Sequence, residues 1–141
     1  TIEKKGQEIE AHEDFMLVIS YNPGYQTVLK DLKPSTKQRF IAINFDFPVE
    51  EVERKIVLNE AAGISPELVH HLVAAGRKAR QLKDHGLEEA TSTRALVYAA
   101  NMINAGLDPV AACQVAMVNP ITDDIELADA LMEIVRAHFS A

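Results

Sequence analysis

Tryptophan is absent from this 141-residue sequence, and cysteine occurs once, at Cys113. A lone thiol closes no intrachain disulfide and offers no Cys-based metal spacing. That excludes a disulfide-stapled scaffold and predicts a reducing compartment, the cytoplasm. Long apolar runs are missing as well. Stretches such as Phe15 to Ile19 fall far short of the roughly 20 residues a bilayer-spanning helix needs, and the charged opening Thr1 to Glu10 has no signal-peptide core. No membrane partner is expected. Nor is there an excess of positive charge: 14 Lys and Arg stand against 21 Asp and Glu, a net −7 with His neutral, which argues against a basic nucleic-acid wrapper. What is present is 48% apolar and 25% charged residues, the composition of one soluble globule able to bury a core.

The charge is uneven. Residues 1–47 hold 6 basic and 7 acidic side chains, 48–100 hold 7 and 8, and 101–141 hold 1 and 6. Within the first segment Lys30, Lys33, Lys37 and Arg39 face only Asp31, a local positive cluster suited to an anionic partner.

Phe15-Met-Leu-Val-Ile-Ser20 is a continuous apolar run stopped by Asn22-Pro23-Gly24, the pattern of a strand buried on both faces followed by a type II turn. Arg39 to Phe47 alternates, with Ile41, Ile43, Phe45 and Phe47 on one side, and predicts a second strand. Tyr25 to Gln38 has room for a short crossover helix between them. Two strands make a poor sheet, so further strands are expected from a longer parent chain or a second copy. The opening Ile2 to Ile9, with Gly6 at a turn, also reads as cut from the middle of something.

From Pro48 the pattern becomes helical. Glu50 to Ala62 carries Val52, Ile56 and Val57 on one face and stops at Gly63. Ser65-Pro66-Glu67 opens a helix expected to run to about His85, with Leu68, Leu72, Val73, Ala79 and Leu82 as its stripe, Lys83 and His85 at its negative end, and Gly86 as its stop. A third helix spans about Ser92 to Ala105 before Gly106. Asp108-Pro109 opens a fourth that Asn119-Pro120 ends, and Asp123 with Glu126 resembles a capping box for a last helix reaching Phe139. The expected fold is mostly α with a small α/β remnant: residues 1–47 as the remnant and residues 48–141 as a helical domain.

Glu8-Ile-Glu-Ala-His-Glu-Asp-Phe15, the run through Asn22-Pro-Gly-Tyr25, and Lys33-Pro-Ser-Thr-Lys-Gln-Arg-Phe40 before a strand ending at Pro48 follow one another in a fixed order. This succession resembles the MoxR-type AAA+ ATPases, most closely the CbbQ, NirQ and NorQ branch, over nearly the whole chain but only the carboxy-terminal half of the AAA+ module. The resemblance implies that Asn22 is the sensor 1 residue positioning the attacking water. It implies that Arg39 is the arginine finger acting in trans on a neighbouring subunit's nucleotide. Ser92-Thr-Arg-Ala95 resembles the sensor 2 segment, which makes Arg94 the cis contact to ATP phosphate. It further implies ATP with Mg in the intact protein, a homo-oligomeric ring, a partner carrying a von Willebrand A domain, and a metalloenzyme or Rubisco as client, the NirQ and NorQ type implying denitrification enzymes such as nitric oxide reductase. The helical segment would be the lid, rocking about residues 48–63.

Each residue type suits its implied role. A neutral amide held by a rigid turn orients water without altering the charge of a site, and a planar, permanently charged guanidinium neutralises a transferring phosphoryl. Arg94 breaks a local rule, because a cation in the first turn of a helix opposes the dipole at a cost of roughly 0.3–1 kcal/mol, a misfit that a bound anion would explain. The nucleotide cradle itself is not in this sequence. No glycine is followed by lysine, so G-x-x-x-x-G-K-[ST] does not occur, and no apolar strand ends in Asp-Glu. This chain alone is therefore expected not to hydrolyse ATP.

Other groups read as structural. His70 and His71 project about 100° apart on a helix and cannot share a metal from one face. His12 and Asp14 lack a third ligand, and Cys113 among Ala, Val and Met suits a buried thiol. No metal site is predicted. A helix-turn-helix DNA reader over Ala95 to Val118 matches in spacing but not in chemistry, since Val110 to Val118 contains no Lys or Arg. A non-enzymatic helical interaction module is the remaining rival, and it predicts partner binding indifferent to ATP, Arg39 and Arg94.

Overall fold

A computed structural model describes residues 10–20, 33–82 and 90–139. The chain divides into two units, Thr1–Asn44 and Phe45–Ala141. In the first, the described structure is a single short helix, α1 (Pro34–Lys37), inside the segment where a crossover helix was expected. Asn22, the turn around it, residues 21–32 and the opening 1–9 lie outside the described residues.

Neither expected strand forms among the described residues. Residues 15–20 and 41–47 carry no strand pairing, and their apolar side chains are exposed, Met16 and Val18 at 79% and Ile41 at 93%. The sequence period was suited to pairing, but a strand exists only where its N–H and C=O groups meet a neighbour, and no described segment supplies one.

The second unit is helical: α2 (Glu50–Glu60), α3 (Pro66–Arg80), α4 (Thr93–Asn104), α5 (Pro109–Cys113), which runs into a π-helical turn at Gln114–Val118, and α6 (Ile125–Phe139). Local chemistry sets most of their ends. Ser65, Ser92 and Asp108 each accept a backbone N–H three residues on, from Leu68 at 3.2 Å, Ala95 at 3.2 Å and Ala111 at 3.0 Å, and Pro66 and Pro109 occupy first-turn positions. Gly63 and Gly106 adopt φ of +99° and +96°, where a side chain would strain the backbone. Around Gly106, Leu107 N–H donates to Met102 C=O and Gly106 N–H to Ile103 C=O, a Schellman ending for α4. Asn104 then donates to the carbonyls of Ala61 and Ala62, both at 3.2 Å, closing the end of α2 against α4.

Several expectations need correction. On α2 the buried positions are Glu53 and Val57, while Val52 is 45% exposed, so the inward stripe is set one residue later than its apolar residues suggested. α3 ends at Arg80 and passes into a 3₁₀ turn at 81–82; Lys83, His85 and Gly86 lie outside the described residues. The cap of α6 is Asp124 rather than Asp123, its Oδ1 accepting from Glu126 N–H at 2.9 Å and Leu127 N–H at 3.1 Å. The π turn is new, marked by Asn119 N–H donating to Gln114 C=O at 2.9 Å. Three consecutive residues of this turn, Ala116, Met117 and Val118, are buried in the core.

The core gathers Val57, Val69, Leu72, Leu96, Met117 and Leu131, drawn from α2, α3, α4, the π turn and α6. A Cβ at Gly76 would sit 2.7 Å from Leu96 Cδ2, so this glycine lets α3 and α4 approach closely.

Candidate functional site

α4 is amphipathic, burying Leu96, Ala99 and Ala100 and leaving Arg94 on its exposed side. The Ser92 hydroxyl caps the helix at Ala95 N–H. The amides of Thr93 and Arg94, in the first turn, have no intrahelical acceptor. Cationic side chain and outward amides thus meet at one helix start, and no ion pair or hydrogen bond ties the Arg94 guanidinium to another described residue. This is an arrangement able to receive an anion.

Beneath that helix start lies a buried polar cluster. Glu53 of α2 is fully buried and Arg80, the last residue of α3, has a side chain only 9% exposed. They form a two-pronged pair, Nη2 to Oε1 at 2.6 Å and Nη1 to Oε2 at 2.9 Å. The Thr93 hydroxyl donates to the same Oε1 at 2.7 Å, and Arg80 Nε donates to the Thr91 carbonyl at 2.7 Å. The guanidinium also lies over the Phe47 ring, 3.9 Å from its centroid. The Thr91 hydroxyl is buried with no partner among the described residues.

A second charged group is more exposed. Glu50 on α2 faces Arg54 at 3.9 Å, Arg77 at 3.8 Å and His70 at 4.0 Å, with Arg54 also 3.3 Å from His70 Nδ1. Separations of this length at the surface contribute little. On the same helix, the hydrogen bond and charge of Lys55 hold the Glu51 carboxyl below its ordinary value. No group of three His, Cys, Asp or Glu side chains is placed to hold a metal among the described residues.

Of the three residues singled out by sequence, Asn22 lies outside the described residues. Arg39 is exposed in the turn after α1, its N–H donating to Thr36 C=O at 3.1 Å. Arg94 occupies the first turn of α4. Arg39 and Arg94 belong to different units, and each is described within its own. The Glu53, Arg80 and Thr93 cluster was missed, although its signal was present. Glu53 falls four residues before Val57, and Arg80 four after Gly76 and seven after Val73, so each charge interrupts an inward-facing stripe.

The fold is thus a helical domain whose capped α4 start carries Arg94 above a buried ion pair. Residues 53–138 match the family described as CbbQ/NirQ/NorQ C-terminal, and the chain belongs to that family. It is 50% identical over 139 residues to protein CbbQ of Hydrogenophilus thermoluteolus, covering 99% of this chain and 52% of that protein. It is 47% identical over 137 residues to denitrification regulatory protein NirQ of Pseudomonas aeruginosa, covering 97% and 52%. To protein NorQ of Paracoccus denitrificans it is 47% identical over 138 residues, covering 98% and 51%. The chain spans about half the length of the curated relatives it matches, and that half is their carboxy-terminal one. No helix among the described residues is long and apolar enough to cross a membrane.

Proposed function

We propose that this chain is the carboxy-terminal half of an ATP-hydrolysing AAA+ protein of the CbbQ/NirQ/NorQ type, which activates or matures a client enzyme. The client is a denitrification metalloenzyme of the nitric oxide reductase kind or Rubisco; two relatives matching nearly the whole chain bear the name denitrification regulatory protein. The intact protein works in the cytoplasm as a homo-oligomeric ring with a von Willebrand A domain partner. Asn22 acts as sensor 1 and Arg39 as the finger reaching a neighbouring subunit, and residues 48–141 are the lid.

The observation that carries this is Arg94. Its place in the first turn of a buried-backed helix costs helix stability unless an anion is bound there, and the guanidinium and the outward amides of that turn suit a phosphate of ATP. When bound, ATP and Mg supply the transferable phosphoryl group and the charge that neutralises it. The role of this chain is to grip phosphate through Arg94, orient water through Asn22 and offer positive charge through Arg39.

Phosphate release and binding of a fluorescent ATP analogue, measured on the intact protein, test this. Arg94→Ala should weaken nucleotide binding. Arg39→Ala should leave binding near the unsubstituted level and lower turnover, with activity recovered in mixed rings that pair a defective finger with an intact neighbour. The chain alone, which has no phosphate loop, should release no phosphate. Unchanged binding and turnover in both variants would refute the assignment and favour an interaction module indifferent to ATP.

A further inference from the structure

Arg94 stands at the surface, so the position of its backbone decides where its guanidinium can reach. Two attachments flank the cap residue Ser92. On one side the Thr91 carbonyl accepts Arg80 Nε at 2.7 Å, and on the other the Thr93 hydroxyl donates to Glu53 Oε1 at 2.7 Å. Both lead to the same buried pair, whose parallel bonds of 2.6 and 2.9 Å fix Arg80 and Glu53 in one plane. The Phe47 ring, 3.9 Å from the guanidinium carbon, covers one face of that plane. Glu53 comes from α2, Arg80 from the end of α3, and the threonines from the start of α4, so three helices are joined one residue before Arg94.

We infer that Arg80 and Glu53 are positioning residues for Arg94: they hold residues 91–93 in one geometry and so set the distance of the Arg94 guanidinium from a nucleotide phosphate. This rests on the phosphate-binding role given to Arg94 above. Apolar side chains at 53 and 80 would fill the same space but would leave the Thr91 carbonyl and the Thr93 hydroxyl without directed partners. Lysine at 80 keeps the charge and loses the fork, and with it the simultaneous grip on Thr91 and both carboxylate oxygens. Displacements on the order of 1 Å at such a distance cost up to about a hundredfold in function.

The test is a mutant cycle in the intact protein, read as affinity for a fluorescent ATP analogue, with helix content checked by circular dichroism. Arg80→Lys and Thr93→Val should each weaken binding about tenfold, while Thr93→Ser, which restores the hydroxyl, should stay within about twofold. In an Arg94→Ala background the same substitutions should cost less than about twofold more, because their effect passes through Arg94. Equal losses with and without Arg94 mark a purely structural role and overturn the inference, as does full affinity in Arg80→Lys and Thr93→Val when Arg94→Ala binds weakly. Unchanged affinity in Arg94→Ala itself is a different signature: it removes the phosphate role of Arg94 and the inference with it. If Arg80→Lys loses its helix content, the Thr93 pair of variants decides.

Discussion

Removing the charge of Glu53 without changing its shape should be among the most damaging single-atom changes available in the helical unit. In Glu53→Gln one oxygen remains to accept from Arg80 Nη2 and Thr93. The other becomes an amide nitrogen facing Arg80 Nη1, where a 2.9 Å hydrogen bond stood. Two donors then confront each other, and Arg80, with a side chain only 9% exposed, keeps a charge that water solvates poorly. Breaking a buried pair this way typically costs ~3–5 kcal/mol. Against a total of roughly 0.05–0.15 kcal/mol per residue for a folded domain, that is a large share of the stability. Urea unfolding followed by helical circular dichroism measures it, with Glu50→Gln as the surface control expected to cost less than ~1 kcal/mol. The double variant Glu53→Gln with Arg80→Met should be less destabilised than the sum of its parts by at least ~1 kcal/mol, since removing the orphaned charge removes the main penalty. A Glu53→Gln protein within ~0.5 kcal/mol of the unsubstituted one would refute the reasoning and show that the pair is solvated in solution.

Leu96 is fully buried beside Gly76 at the α3–α4 approach. Leu96→Ala should cost ~2–5 kcal/mol in urea unfolding, and less than ~1 kcal/mol would mean that the helices can close over the gap. Ser92→Ala removes the hydroxyl that accepts Ala95 N–H; thermal unfolding should report a loss of ~0.5–2 kcal/mol. Burial, and to a lesser extent the Asp108 charge, push the Cys113 thiol from 9.0 up to about 12. Above pH 9 the unfolded chain therefore releases a proton that the folded chain keeps, and stability should fall toward pH 12 by up to ~1.4 kcal/mol per unit. Cys113→Ala should abolish that component of the alkaline slope, and a thiol reagent at pH 8 should leave the folded protein unlabelled.

Features with short sequence range were legible. Ser65, Ser92, Asp108, Gly63 and Gly106 do what their types suggest, because a cap or a left-handed turn involves partners three to five residues away. Errors entered where the partner is distant or several local answers compete. Asp123 and Asp124 are equally good caps by type, and only the path of the chain into α6 selects the second. Val52 looked inward by hydrophobicity, yet α2 turns Glu53 inward because an arginine 27 residues further on awaits it. The alternating run 41–47 had the period of a strand, but period specifies which side chains share a face and not whether a neighbour exists to pair with. Arg94 was singled out by the resemblance of Ser92-Thr-Arg-Ala95 to a sensor 2 segment, with its first-turn charge as a local sign. Its support was not, since Glu53, Arg80 and Thr93 span 40 residues and meet only after three helices have packed.

The choice of an ion pair at this place is itself informative about what the helical unit needs. Well-packed apolar residues of similar volume often stabilise a domain as much as a buried salt bridge or more. Thermodynamic stability is therefore a weak reason for Glu53 and Arg80 to occupy stripes otherwise filled by Val57, Val73 and Ala79. Direction is a stronger one. An apolar contact tolerates rotation of one helix against another, whereas a carboxylate taking three donors and a guanidinium giving Nε to a specified carbonyl are satisfied only within narrow distances and angles. The bonds converge on residues 91–93, one peptide from the exposed arginine, and not on a point deep in the core. That location makes the geometry of the α4 start, more than the cohesion of the unit, the property these residues secure.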